Sequence, residues 1–444
     1  MPSATHPQPP KEVWTSQEGS MARETAIIRW PKIVQNMVDD MEESLGQSDN
    51  PEQISEGRRI QASLKIIKQE IMQNKPLHPL ISDGRPDIES YNAQLESFGS
   101  ITWHNCPWLF AECYMYRCVQ TLFSRSSFWT NYDIFARQKL NAFVASHAAV
   151  EELCERYISL TDKSALLDKT DEEAQRLIFY EMTEIALWGN ATDLSLLSSL
   201  SLDQIHSLQG KKAIHDGQAR IVSNGMPEAW DYLKSNRGRR VDIVLDNAGF
   251  ELFTDLVYAL YLLDSGLASA LRLHVKSFPW FVSDVLPHDM GVLLSALTDP
   301  SLFPGSKHQG VRLLAERLSA CHKDGLLSIA EHAFWTTGFD FQEMPVVAPE
   351  LHDDLLKSTL VILKGDLNYR KLVRDANWPH TVSFKEAIGP LCGRGLKILA
   401  LRTNKADVCV GLDRETLDRV EAEAPGKAWV RNGKYAVINF SDGV

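Results

Sequence analysis

Val241-Asp-Ile-Val-Leu-Asp246-Asn247-Ala-Gly249-Phe-Glu251 is the stretch whose reading decides the fold. A β-branched apolar run feeds directly into Asp-Asn, a glycine follows, and a helical pattern begins at 251. Gly249 permits a tight turn from strand to helix. Further short apolar runs lie at 271–276, 359–364, 397–401 and 435–440, and helical patterns at 251–263, 311–322 and 351–357 separate several of them. Strands alternating with helices predict a parallel or mixed sheet covered on both faces, an α/β fold. Ligands of such sheets sit beyond the carboxyl ends of the strands, so chemistry is sought there.

The N-terminal half reads differently. Residues 1–20 are rich in Pro, Gln and Ser and are expected to form a mobile tail. From 25 to about 73, Ile27, Ile28, Trp30, Ile33, Val34, Met37, Val38 and Met41 recur at helical spacing. The segment 76–103 carries Pro76, Pro79, Gly84, Pro86 and Gly99 and reads as a long connection. Pro107 opens a helix with Trp108, Ala111, Met115, Cys118 and Leu122 on one face. Glu112 and Arg117 on that helix are five apart and do not share a face as an i,i+4 pair would. The stretches 132–157 and 172–188 are helical in pattern, and no strand is expected before about 235. The expected division is a tail at 1–20, a mostly helical part at 21–235 and an α/β metal- and phosphate-binding domain at 236–444.

Composition narrows the function classes. The 444 residues are 44% hydrophobic and 23% charged, with 11 Trp and 17 Phe, values of a globular chain with ample core. A net charge of −12 opposes nonspecific binding to nucleic acid and to anionic membranes. The apolar run 256–263 is bounded by Asp255 and Asp264 and falls far short of the about 20 residues of a membrane span. No basic segment followed by an apolar one opens the chain, so a secretory signal is not expected. Seven cysteines without a Cys-x-x-Cys pair fit free thiols in a reducing cytosol; a nuclear location stays open as well, though no basic cluster demands it. Nothing in the sequence fixes an oligomeric state.

Each strand end carries polar groups with two readings. Asp246 and Asn247 offer oxygen ligands to a hard cation, or satisfy turn backbone groups. Asp284, after the loop Ser-Phe-Pro-Trp280-Phe-Val-Ser, either caps a helix or joins Asp246 in a two-carboxylate site suited to magnesium or manganese. Gly365-Asp-Leu-Asn368-Tyr369 is a polar loop whose amides can cradle an anion, or an ordinary Gly-Asp turn. Arg402 and Lys405 suit phosphate, or pair with local acids. Trp188-Gly189-Asn190-Ala-Thr-Asp193 ends one helix and starts another, with Asp193 as N-cap or, on the second reading, as a site residue.

Taken in order, Asp246-Asn-Ala-Gly-Phe-Glu251, Lys276-Ser-Phe-Pro-Trp-Phe-Val-Ser-Asp284, Lys364-Gly-Asp-Leu-Asn-Tyr-Arg-Lys371 and Arg402-Thr-Asn-Lys405 resemble the metal-dependent damage-control phosphatase family, once called domain of unknown function 89. The Arg-Thr-x-Lys element is similar to that of its sugar-phosphate branch, as are Pro107-Trp-Leu-Phe-Ala-Glu-Cys-Tyr-Met-Tyr-Arg117 and Leu187-Trp-Gly-Asn190-Ala-Thr-Asp193. The likeness runs from about residue 25 to the C-terminus. It implies a Rossmann-like α/β/α sandwich with an N-terminal helical part. It implies a divalent metal (Mn2+ or Mg2+, with Co2+ or Ni2+ as alternatives) on Asp246, Asn247 and Asp284. It further implies that Glu251, the loop Gly365, Asp366, Leu367, Asn368 and Tyr369, and Lys405 contact the sugar phosphate, with Arg117 and Asn190 added from the N-terminal motifs. Asp246, Asp284 and Lys405 form the expected catalytic set. Position 118 is Cys where many relatives carry a second basic residue.

The implied activity is hydrolysis of small sugar phosphates such as fructose 1-phosphate and fructose 6-phosphate, in the cytoplasm. S-adenosylmethionine-dependent carboxyl (glutamate) O-methyl transfer, attributed to the same branch, is the alternative. No Gly-x-Gly-x-Gly loop follows the first strand read at 241–246, which counts against it. The absence of Asp-x-Asp at 246–248 excludes a haloacid-dehalogenase-type phosphatase, and Gly426-Lys427 and Gly433-Lys434 do not fit a P-loop.

Overall fold

Strands buried on both faces demand near-continuous apolar sequence, and the runs around 241, 360 and 398 supply it. In a computed structural model that describes residues 9–162, 171–189 and 218–444, these runs are the centre of a seven-stranded sheet. The strands are β1 (Ile221–Asn224), β2 (Arg239–Val244), β3 (Ala268–Val275), β4 (Leu327–Glu331), β5 (Leu360–Lys364), β6 (Ile398–Thr403) and β7 (Ala436–Ser441). Their order is β1-β7-β6-β5-β2-β3-β4, parallel throughout except for β6 against β7.

Alternate residues of the same strands feed opposite faces. Val241, Ile243, Ile362 and Leu399 pack against the helices Phe250–Asp264, Glu172–Trp188 and Gln309–Lys323. Val244, Val361, Leu363 and Ala400 face a second layer built from Leu351, Leu372, Val420 and Trp429. The fold is therefore an α/β/α sandwich. A third cluster unites the N-terminal helices with Phe278, Trp280, Leu367 and Ala406, so the helical part is seated over the carboxyl ends of the strands.

Several expectations are corrected. Part of the expected tail packs on the fold: Val13 donates its N–H to the Asp375 carbonyl and accepts from Trp108 N–H, both at 2.9 Å, and Val13 and Thr15 are buried. Pro/Gln/Ser composition does not register such backbone pairing. The long connection at 76–103 contains the helix Asp87–Phe98, which begins directly after Pro86. The helical stretch from 25 breaks at Asn50, whose side chain caps Pro51–Met72. The stretch 132–157 holds two helices, Ala136–Ala145 and His147–Asp162. Strands β1 and β4 were not expected; both are short and their apolar residues are interrupted by Ser, too little for a period-2 pattern. Because β1 pairs with β7, the sheet begins before the expected boundary at 235/236.

The chain leaves β2 toward β3 and β4 on one side, and returns to β5 on the other side of β2. That reversal opens a crevice at the carboxyl ends of β2 and β5, the position where open α/β sheets bind ligands. Asp246 and Gly365 stand at its two lips.

Candidate active site

Two loops build the acidic side of the crevice. After β2, Asp246 and Asn247 lead into Gly249, whose φ of +74° starts the helix Phe250–Asp264. After β3, the chain passes Trp280 and reaches Asp284. The loops fasten each other through the backbone: Ala248 N–H donates to Ser283 O at 2.7 Å, and Val285 N–H to Asp246 O at 2.9 Å. The Ser283 hydroxyl donates to Asn247 Oδ1. Phe281 and Val282 hold φ of +43° and +72°. A β-branched residue at positive φ is a true outlier, and such strain gathers at functional sites where surroundings enforce it. Here Trp280 is fully buried, and the Phe281 ring stacks on Tyr116 with centroids 4.9 Å apart.

The carboxylates are enclosed. Burial, with the charges of Glu251 and Asp284 beside it, drives the Asp246 carboxyl well above the usual carboxylate range. Burial pushes Asp284 up to about 6 against the pull of Lys276, whose Nζ lies 3.1 Å from Asp284 Oδ2 and donates to Leu245 O at 3.1 Å. Asn247 Nδ2 bridges Asp246 Oδ2 at 2.7 Å and Glu251 Oε2 at 2.8 Å. Crowded buried carboxylates with an amide partner form the all-oxygen donor set that suits a hard dication, whose charge would offset their repulsion. The residues fit a divalent metal on Asp246, Asn247 and Asp284.

Gly365 explains itself by contact. Its φ is +82°, and a Cβ there would fall 1.9 Å from Asp246 Oδ2. Residues 365–369 are not a loop but the opening turns of the helix Gly365–Leu372, whose first N–H groups still face an anion favourably. Asp366 accepts from Arg402 Nε at 2.8 Å and from Lys405 N–H at 3.3 Å. Arg402 also donates to the carbonyls of Val408 and Ala406 and stacks on the Tyr369 ring. Arg402 thus shapes the loop that presents Lys405.

A cavity of about 190 Å3 gathers these groups. Asp246, Asn247, Phe281, Ser283 and Asp284 line it from β2 and β3, and Asp366, Leu367, Arg370 and Lys405 from β5 and β6. The helical part adds Arg29, Trp108 and Glu112, none expected as a contact residue. The failed i,i+4 spacing was informative: Glu112 faces the cavity, while Arg117 points away. Arg117 is buried between Asp83 and Asp87, with Nη1 at 2.9 Å from Asp83 Oδ2 and Nε at 2.6 Å from Asp87 Oδ2. A guanidinium saturated by two acids does not take a phosphate, so its expected substrate role is withdrawn.

Three other expected contacts stand behind the cavity wall. Glu251 receives Asn247 and Lys364. Asn368 Nδ2 ties the strand ends together through Lys364 O at 2.8 Å and Leu245 O at 3.2 Å. The Tyr369 hydroxyl accepts from Val410 N–H at 3.1 Å. Asn190 lies outside the described residues.

A second cluster deserves comparison. Asp133, His288 and Asp289 bring ligand atoms within 4.8 Å of one another, a candidate Asp/His/Asp metal site. Lys139 Nζ already lies 2.7 Å from Asp133 Oδ2 and 2.7 Å from Asp289 Oδ2. The hydrogen bond between His288 and Asp133 raises the imidazole pKa, favouring a second local cation. The Lys139 ammonium already neutralises both carboxylates of this cluster, which borders a smaller cavity of about 80 Å3 lined by Lys139, His288 and Asp289.

The damage-control phosphatase ARMT1-like domain matches residues 25–420. The chain belongs to that family. It is 33% identical over 456 residues to the damage-control phosphatase ARMT1 of Danio rerio, covering 98% of this chain and 97% of that protein. To the Homo sapiens protein of the same name it is 31% identical over 445 residues, covering 95% and 96%. A solved structure of a DUF89 family protein from Pyrococcus horikoshii aligns at 13% identity with a TM-score of 0.42, covering 94% of this chain and 98% of that one. Family membership makes the chain a metal-dependent phosphatase with a damage-control role. Among the described residues, no helix is long and apolar enough to cross a membrane.

Proposed function

We propose that the chain hydrolyses phosphate monoesters of small sugars, with fructose 1-phosphate and fructose 6-phosphate as substrates, and so removes reactive, glycating sugar phosphates. One observation carries the reading: carboxylates from two strand ends meet a lysine and a helix N-terminus around one cavity at the sheet's switch point. Phosphoryl transfer spreads negative charge over the phosphate oxygens, so its catalysis is mostly positioning and electrostatic stabilisation.

Asp246, Asn247 and Asp284 would hold the metal, Mn2+ or Mg2+ with Co2+ or Ni2+ as alternatives. Such an ion supplies Lewis-acid polarisation of a phosphoryl oxygen and lowers the pKa of bound water. Lys405 neutralises a further phosphate oxygen, and the first amides of Gly365–Leu372 orient the anion. Lys276 and Asn247 fix the two carboxylates, so little reorganisation remains when substrate enters. Attack by water and attack by the Asp246 carboxylate through a phosphoaspartate are both compatible with this placement; hydroxylamine trapping separates them. Seven free thiols suit a cytoplasmic setting.

Phosphate release from a sugar-phosphate panel tests the substrate class. The reading expects release from both fructose phosphates with Mn2+ or Mg2+ and none in EDTA. Release confined to esters without a sugar would overturn it.

A further inference from the structure

The cavity has two walls of different origin. The sheet supplies the metal-type oxygens and Lys405, which suffice for a phosphate. The helical part supplies Arg29, Trp108 and Glu112, which face the same cavity from the side opposite the sheet's strand ends.

Arg29 is set apart by its charge partners. Arg370 is held by Glu112 at 2.9 Å and Asp375 at 2.8 Å, Arg402 by Asp366, and Lys276 by Asp284. The exposed Arg29 guanidinium has no ion-pair partner among the described residues. A single π-turn, Thr25–Arg29, presents it; Trp30 N–H reaches back five residues to Thr25 O. Such turns are rare overall and frequent at functional sites. Thr25, Ala26 and Trp30 are buried while Ile27, Ile28 and Arg29 face out, and Trp30 Nε1 donates to Glu112 Oε1 at 3.3 Å. The turn therefore anchors Arg29 to the same wall as Glu112.

Trp108 supplies an independent sign. Its indole is buried and stacked on Arg370, whose guanidinium carbon lies 3.6 Å from the ring centroid. Its Nε1–H has no acceptor among the described residues. A buried N–H left unpaired is costly, and such a group in a cavity-lining residue calls for a ligand oxygen.

We propose that Arg29 and Trp108 are specificity-determining residues that bind the hydroxyl oxygens of the leaving sugar, so that the helical part selects polyhydroxylated phosphate monoesters. This rests on the phosphatase reading and adds the wall that reads the leaving group. Both are pure donors and match the acceptor lone pairs of sugar hydroxyls. An ester whose leaving group carries no hydroxyl cannot use them.

Purified wild type, Arg29→Ala, Arg29→Lys and Trp108→Phe are compared on fructose 1-phosphate and phenyl phosphate with Mn2+, with Arg23→Ala as a charge-matched control. The expected result is a fall of about tenfold or more in kcat/KM for the sugar ester relative to phenyl phosphate in Arg29→Ala and Trp108→Phe, carried mainly by KM. Arg29→Lys recovers part of it. Unchanged circular dichroism shows that exposed Arg29 is not needed for folding. Equal losses on both esters, or losses matched by Arg23→Ala, would overturn the proposal. Absence of phosphate release from either ester by wild type would instead sink the phosphatase reading beneath it.

Discussion

Adding one methyl group at position 365 should disable the enzyme while leaving it folded. In Gly365→Ala the new Cβ would stand 1.9 Å from Asp246 Oδ2, 2.2 Å from Cγ and 2.7 Å from Cβ. Ordinary contact starts near 3.4 Å, so the Asp246 carboxylate must retreat by about 1.5 Å, against a tolerance of about 0.5 Å for a catalytic constellation. Misplacement by about 1 Å costs on the order of 10²-fold. The φ of +82° adds strain, since L side chains avoid that region at about 1–2 kcal/mol. The expected outcome is a loss of kcat/KM on the order of 10² or more, weaker Mn2+ binding, and a stability loss of about 1–3 kcal/mol in urea unfolding. Phosphate release on the sugar panel is the assay, with circular dichroism confirming the fold. A Gly365→Ala enzyme within threefold of wild type would refute the reasoning, because Asp246 would then not need the place it holds.

Other outcomes follow from the buried charges. Arg370→Met strips the partner from Glu112 and Asp375 and should destabilise by about 3–5 kcal/mol, read from denaturant midpoints at constant m-value. Burial, with the Glu181 charge beside it, pushes Glu184 up to about 7 from a usual value of 4.5, against a Gln218 hydrogen bond. The folded state therefore holds the proton more tightly. This contribution is fully present below about pH 4.5 and is lost as pH rises through 7. Glu184→Gln should match wild type near pH 4 and exceed it by about 3 kcal/mol near pH 8, in paired urea titrations. Equal stability at both pH values would contradict the assignment.

How much of this was legible in sequence depends on the length scale of the signal. Strands β2, β5 and β6 announce themselves because a strand buried on both faces reads as a near-continuous apolar run. The helix at Glu172–Trp188 was read to its ends, since Asp171 caps it and Gly189 closes it. Asp246, Asn247, Asp284, Asp366, Leu367 and Lys405 meet in one cavity, as strand-end logic expects. Residues whose role depends on a distant partner were not legible. Arg117 is taken by Asp83 and Asp87, about thirty residues away, and Arg29 reaches the cavity through a π-turn that periodicity at 3.6 cannot reveal. Strand β1 needs β7 beside it before its four residues look like anything but a turn.

In the proposed enzyme Asp246, Asn247 and Asp284, and not the lysine-filled cluster at Asp133, hold the metal. Direct titration of Mn2+ into wild type, Asp246→Asn, Asp284→Asn and His288→Ala, followed by electron paramagnetic resonance of free Mn2+, tests it. Saturable binding is expected in wild type and His288→Ala, with its loss in both aspartate variants. Binding that survives in Asp246→Asn and Asp284→Asn but vanishes in His288→Ala would contradict this assignment.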